Sequence, residues 1–442
     1  MATTHSDKPN VISSRRWKLS VVTILSLVGI STHASDDLLL SEKADLFQTD
    51  IEERFLQEGQ LRVRRRLPTT DHPFVTYNMS DTAYMTGLYC ATSTWRYLAT
   101  RDPDAAAQAR SSAAALMHLV SVTEVPGLLA RASVPIDTPW FDDGTWRQTE
   151  DGRHRWRGNV SSDQVDALVF GLYIYSQHLA SSGERNTIGR TIGAIVDTIV
   201  DNNHRIVGYD GQPTRWGRYD LDYVTNSEPM NALLLLQMVK VAHALTNNPH
   251  YEREYQRLVG MGYAHISEAA RVDDPPLEAN HSDDVLIALA LYPLLELERE
   301  DGPRRHYLEA ALRWFRGGRH PGIDAESNPF ATFLYRHWTG ENEGFESALN
   351  TLRQVPLDMK WNPDTIESYT GRFGFTFAAD PFSLPTDDGP FPISQRGRTW
   401  SFLVHNPYRI GGNRLEAAPF ETNGLDFLLS YWFGRAHGMI PL

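Results

Sequence analysis

Four stretches of the chain repeat one arrangement of polar and apolar positions. They are "NMSDTAYMTGLYCATSTWRYLATRD" from Asn78, "NVSSDQVDALVFGLYIYSQHLASSG" from Asn159, "TNSEPMNALLLLQMVKVAHALTNNP" from Thr225 and "ANHSDDVLIALALYPLLELERED" from Ala279. Each opens on a polar knot in which Ser is followed by Asp or Glu. Each then runs on apolar nearly all round and ends in a polar turn. "ETNGLDFLLSYWFGRAHG", near the end of the chain, is a looser version. A helix without a polar face is buried on every side. Ser or Asn ahead of such a run is a natural N-cap, because its side-chain oxygen satisfies free amides of the first turn.

Between these runs lie amphipathic segments: "DAAAQARSSAAALMHLVSV", "RNTIGRTIGAIVDTIVDN", "YEREYQRLVGMGYAHISEA" and "RRHYLEAALRWFRGG". They predict half-exposed helices. Buried and exposed helices therefore alternate, at a spacing of roughly 45–80 residues set by loops of uneven length. The pattern predicts an all-α protein, an α/α toroid with an inner and an outer ring of helices and long irregular loops. An open solenoid of helical repeats is the competing architecture, and it would keep a tighter period. The loops are rich in Trp, Arg, Gly and Pro. The largest, about 369–420, reads as a non-helical insertion. No linker divides the chain, so residues 35–442 read as a single domain.

Residues 1–34 have a different character. Arg15, Arg16 and Lys18 precede an apolar run from Leu19 to Ile30, and small residues follow at Thr32 to Ala34. This is the pattern of a signal peptide, and the run is short for a membrane span. The expectation is export to the periplasm or beyond, with no stable membrane insertion after cleavage. The formal charge of the whole chain is −13; Lys8, Arg15, Arg16 and Lys18 against Asp7 put the remainder at −16. So acidic a surface argues against nucleic acid as a partner. Cys90 is the single cysteine, which excludes an intrachain disulfide and a multi-cysteine metal site. There is no nucleotide-binding glycine motif and no G-x-S-x-G elbow, so no cofactor is expected.

Four pieces, "GNVSSDQVDALVFGLYIYS", "GQPTRWGRYDLDY", "ANHSDDVLIALALYPLLELE" and "HNPYRIGGN…LLSYWFGR", resemble a group of exported bacterial proteins of the six-hairpin glycosidase-like superfamily. The resemblance runs from about Asp71 to Ile440. It implies the toroid fold and a carbohydrate substrate. The superfamily holds glycoside hydrolases, and the same toroid also hosts polysaccharide lyases, so the fold alone leaves the reaction open.

In a toroid the N-terminal ends of the inner helices converge on one mouth. Asp81, Asp163, Glu228 and Asp283 would gather there as capping residues. Glycoside hydrolysis needs two carboxyl groups flanking the scissile bond, and crowded carboxylates raise one another's pKa toward the range a general acid needs. Asp163 and Asp283 are the expected pair, with Asp81 and Glu228 next. Each has a plainer reading, an acid at a helix start that complements the dipole. Asp166, one turn beyond Asp163, either joins the cluster or sits deeper in the core. Asn280 and His281 are expected to line the pocket. A metal held by His281, Asp283 and Asp284 is disfavoured by their spacing, and none is expected.

Trp156, Trp216 and Trp400 are candidates to stack on sugar rings. Arg131 and Arg215 are candidates to hold a substrate hydroxyl or carboxylate. Loop Trp and Arg residues also serve in ordinary packing and ion pairing. His405, Asn406 and Tyr408, near Trp400, would either close the mouth or dock the insertion. The reading is an exported glycoside hydrolase with paired carboxylates. The alternatives are a lyase acting on a uronate-containing glycan, with His281 or a Tyr as base, and a glycan-binding protein without catalysis.

Overall fold

The computed structural model describes residues 38–71, 73–139, 142, 144–361, 390, 406–408 and 420–441. The leader and most of the insertion at 369–420, with Trp400 and His405, lie outside the described residues. In chain order the described helices are α1 (Leu40–Arg54), α2 (Thr82–Thr100), α3 (Pro103–Ser121), α4 (Ser162–His178), α5 (Ser182–Asp201), α6 (Leu221–Asn226), α7 (Met230–Thr246), α8 (Pro249–Gly260), α9 (Tyr263–Ile266), α10 (His281–Leu297), α11 (Asp301–Arg316), α12 (Pro329–Thr339), α13 (Phe345–Gln354) and α14 (Leu425–Ala436).

Six of these pack side to side in a closed circuit: α2 on α4, α4 on α7, α7 on α10, α10 on α12, α12 on α14, and α14 back on α2. α1, α3, α5, α8, α11 and α13 pack outside them. The chain is therefore an α/α toroid of six helical hairpins. The four inner helices legible as apolar runs are buried along nearly their whole length; in α4 every residue from Gln164 to Ser176 is buried. The outer helices carry one buried stripe, as in α5, where Ile188, Ile192, Ile195 and Ile199 face inward. The inner helix α12 is absent from the sequence pattern. It is only 11 residues long, and its last turn, with Arg336 and His337, is polar and half-buried.

The ring closes at both chain ends. The strand Phe420–Thr422 pairs antiparallel with Arg64–Arg66, and Phe47 of α1 meets Phe427 of α14 with ring centroids 5.2 Å apart. Toward the C-terminal ends of the inner helices the centre is plugged by aromatic rings. Trp95 lies edge-on to Phe170, Tyr292 and Phe433, from α4, α10 and α14. Each edge-to-face contact adds about 1 kcal/mol beyond burial. Among the described residues the opposite, N-terminal mouth is open.

Two glycines let α2 and α4 cross at close range. A Cβ on Gly87 of α2 would lie 2.2 Å from the Ala167 carbonyl oxygen, and one on Gly171 of α4 would lie 2.3 Å from the Gly87 carbonyl. The backbones of α2 and α4 touch because neither position carries a side chain. The loops around the mouth hold short antiparallel sheets where irregular structure was expected. Ala132–Pro135, His154–Arg157 and Trp146–Gln148 form one, and Arg205–Val207 with Pro213–Arg218 another. Trp156, Arg215 and Trp216 are thus strand residues. No helix among the described residues is long and apolar enough to cross a membrane.

Candidate functional site

The N-termini of α2, α4, α7 and α10 open into one cavity of about 530 Å³. Asp81, Asp163, Glu228 and Asp283 all line it, together with Arg131, Ser161, Trp216, Tyr223, Asn231 and Asn280. Their positions on the helices are not equivalent. Asp81 is the N-cap of α2, with no side-chain cap bond. Asp163 is the second residue of α4, whose N-cap is Ser161. Glu228 precedes α7 by two residues, and Asp283 is the third residue of α10. The cap of α10 is Asn280, whose side-chain oxygen accepts from the Ser282 amide at 3.3 Å. The cap expected at Ser282 and Asp283 therefore lies two residues earlier, at Asn280, and the Asp283 carboxyl lines the cavity.

Two subclusters share the floor. In the first, the Gln164 amide nitrogen donates to Asp81 Oδ1 at 3.2 Å and to Asp163 Oδ2 at 2.8 Å, and the Ser161 hydroxyl donates to Asp163 Oδ1. Arg131 stands behind them. Its guanidinium donates to the Asn159 carbonyl at 2.7 Å, the Ser80 carbonyl at 3.0 Å and Ser161 Oγ at 2.8 Å, and it reaches Asp81 Oδ1 at 3.4 Å. Arg131 thus ties the starts of α2 and α4 together, with four of its five N–H donors engaged. In the second subcluster, Asn280 donates to Asp283 Oδ2 at 2.7 Å.

Burial and mutual repulsion move these acids upward. Asp283 is pushed up to about 7, first by burial and then by the charges of Glu228 and Asp284, with Asn280 opposing. Burial raises Glu228. Burial and Asp81 raise Asp163, while Arg131 and the Ser161 hydroxyl oppose the rise. Asp283 is therefore protonated in a large fraction of molecules at neutral pH, the condition of a general acid. Burial, with Glu228 and Asp283 nearby, also raises Tyr223.

Trp216 reaches the cavity from the strand Pro213–Arg218 with half of its surface exposed, 51%. An exposed indole at a polar mouth is a stacking platform. Arg215 does not line the cavity; its guanidinium stacks over the Trp216 ring, 4.4 Å from the centroid. Three other sequence-derived candidates also point elsewhere. His281 is buried, with Nε2 2.8 Å from Glu326 Oε1. Glu326 and Asp284 in turn hold Arg271, at 3.6 and 2.8 Å. His281, Asp283 and Asp284 thus turn to three different partners, and no metal set forms among them. Trp156 is 1% exposed and packs edge-on to Tyr209, with centroids 6.0 Å apart, under a separate smaller cleft.

Asp166 lies below the floor, fully buried, with the Gln237 side chain as its polar neighbour. Burial and the Asp163 charge push its pKa well above the ordinary value, with Gln237 opposing, and it belongs to the core. Asn406 docks the insertion, donating to the Pro276 carbonyl at 2.6 Å and the Ala279 carbonyl at 3.3 Å, and Tyr408 is buried beside it. Both sit on the loop that leads into α10.

The sequence pattern missed Tyr84, Tyr223, Asn231 and Leu286 as lining residues. Tyr84, Asn231 and Leu286 each follow a cavity carboxylate by three positions, one turn along the same helix face. That spacing was the available signal.

No family model and no curated protein matches the sequence. Solved structures with a similar course of chain include a family 76 glycoside hydrolase from a bovine Bacteroides thetaiotaomicron strain, at 11% identity and a TM-score of 0.46, covering 92% of this chain and 79% of that one. A D-mannose isomerase aligns at 10% identity and 0.44, over 92% and 99%. A cellobiose 2-epimerase from Spirochaeta thermophila aligns at 12% and 0.42, over 90% and 97%. Likeness at this level carries no argument about chemistry; the toroid assignment rests on the closed circuit of inner helices.

Proposed function

We propose that the chain is a carbohydrate-active enzyme, a glycoside hydrolase whose acid and base are Asp283 and Asp163. The observation that carries the reading is the convergence of four carboxylates, at or beside the starts of four inner helices, on one cavity, with Asp283 pushed to about 7. Asp283 gives its proton to the glycosidic oxygen as the bond to the anomeric carbon breaks. Asp163, across the two subclusters, takes a proton from the attacking water or attacks the carbon itself. Hydrogen bonds from Ser161 and Gln164 favour its ionised form. Trp216 offers an apolar face for the sugar ring and Asn280 a polar group for its hydroxyls.

Of the bases named for the lyase alternative, His281 is turned away from the cavity, whereas a tyrosine, Tyr223, lines it. His281 is engaged with Glu326, and four of the five N–H donors of Arg131 go to backbone carbonyls, Ser161 and Asp81. Export through the leader at 1–34 remains part of the proposal. The test is a screen of neutral and acidic oligo- and polysaccharides that follows reducing ends, ultraviolet absorbance and product mass together, with Asp163→Asn and Asp283→Asn in parallel. New reducing ends without absorbance, absent in both variants, support the hydrolase. Absorbance rising with cleavage means a lyase. A changed sugar without cleavage means an isomerase or epimerase. Binding without turnover means a glycan-binding protein.

A further inference from the structure

We propose that His265, Glu268 and His306 form a binding site for a divalent ion of the zinc type, separate from the carboxylate cavity. His265 belongs to α9, and Glu268 to the 3-10 turn Ser267–Ala269 that continues it. The two are three residues apart and share a face. α11 packs against that turn and brings His306 to it. One ligand atom from each residue lies within 4.8 Å of the other two. Nδ1 of His306 is 2.5 Å from Glu268 Oε1, and Nδ1 of His265 is 3.5 Å from Glu268 Oε2.

An ordinary ion pair needs one histidine on a carboxylate. Here two imidazoles, with centroids 5.5 Å apart, turn their Nδ1 atoms to the two oxygens of one carboxylate. Were both imidazoles protonated they would repel, whereas one cation between the three groups serves all of them. A tetrahedral zinc with bonds of about 2.0–2.1 Å sets its ligand atoms roughly 3.3–3.4 Å apart. The His265–Glu268 separation already matches, and the His306–Glu268 contact needs to open by less than about 1 Å. Two imidazole nitrogens and one carboxylate suit zinc, nickel or copper, and disfavour magnesium and calcium, which take oxygen shells. The side chain of His265 is 74% exposed, so the ion has a route in and its fourth position faces water.

None of the three residues lines the carboxylate cavity. The bound ion would instead pin the turn to α11. From that turn the chain runs through residues 270–279 into α10, the helix that carries Asn280 and Asp283. The role the geometry supports is therefore a cross-link that holds the approach to α10.

The test uses the untagged full chain, freed of metal with a chelator and titrated calorimetrically with zinc chloride. Visible absorption of the cobalt(II) form is recorded in parallel. One saturable equivalent is expected, with cobalt bands of a low-coordinate site and a raised melting temperature on loading. His306→Gln and Glu268→Gln are expected to weaken binding by at least about tenfold and to abolish the bands, with unchanged circular dichroism. Asp283→Asn is expected to bind as the parent does. Absence of a saturable equivalent overturns the proposal. So does binding that survives both substitutions, or that is lost in Asp283→Asn, since the ion would then sit elsewhere.

Discussion

Replacing Asp283 by Asn is expected to stabilise the folded protein at neutral and alkaline pH while removing its activity. The argument starts from the rise of this carboxyl from the ordinary value of 3.8 to about 7. The unfolded chain releases the Asp283 proton near 3.8, and the native protein keeps it until about 7. Between those values the native state binds more protons than the unfolded state, so stability falls as pH rises. The contribution is fully present below 3.8 and lost once pH has passed 7. At about 1.4 kcal/mol per tenfold, the interval corresponds to roughly 4 kcal/mol, and solvent in the open cavity reduces the working figure to about 2 kcal/mol.

Asn is close in shape and never ionises, and its oxygen can still accept from Asn280, which donates to Asp283 at 2.7 Å. Urea unfolding of both proteins at about pH 4 and about pH 8 measures the effect. The two should be nearly equal in stability at the lower pH, and the variant ahead by about 2 kcal/mol at the higher. A variant that is less stable at the higher pH refutes the reasoning. So does a stability difference that does not change with pH, because then the carboxyl is not held protonated by its surroundings.

The other predictions bear on chemistry and packing. Asp163→Asn should lower kcat by about 10²–10⁴ with a smaller effect on KM, read by steady-state kinetics on any substrate the screen finds. Activity should decline as pH rises past about 7, where Asp283 ionises; Glu228→Gln removes a charge that raises Asp283, so the alkaline limb of the pH–rate profile should move to lower pH. Trp216→Ala should raise KM by roughly fivefold, about 1 kcal/mol, with kcat little changed, because the lost indole face binds ground and transition states alike. Gly87→Ala should cost about 1–3 kcal/mol in urea unfolding, since the new methyl meets the backbone of Ala167 at 2.2 Å and α2 must move off α4.

The fold was legible where burial writes itself into composition. α2, α4, α7 and α10 are apolar on every face because neighbours surround them, and that pattern needs no knowledge of the partners. α12 was not legible, because a helix of 11 residues with a polar last turn looks like any outer helix. The cavity was legible for a related reason. An acid beside the cap of a buried helix has to sit at the mouth, and four such acids share it.

What the sequence could not convey was direction around the helix and depth along it. Successive residues turn by about 100°, so His281 and Asp283 project roughly 200° apart. One therefore meets Glu326 in the core while the other faces the cavity. Asp163 and Asp166 have the opposite relation. Three positions return to within about 60° of the same direction but carry the side chain about 4.5 Å further along the axis. At the mouth that step separates a cavity carboxylate from one buried in the core. In α2 and α7 the same step leaves Tyr84 and Asn231 still on the cavity wall. Sequence spacing can therefore name the face of a helix that meets a site, while the depth at which the site ends is set by how closely neighbouring helices approach. Here α2 and α4 approach backbone to backbone at Gly87 and Gly171, the latter on the same helix that carries Asp166.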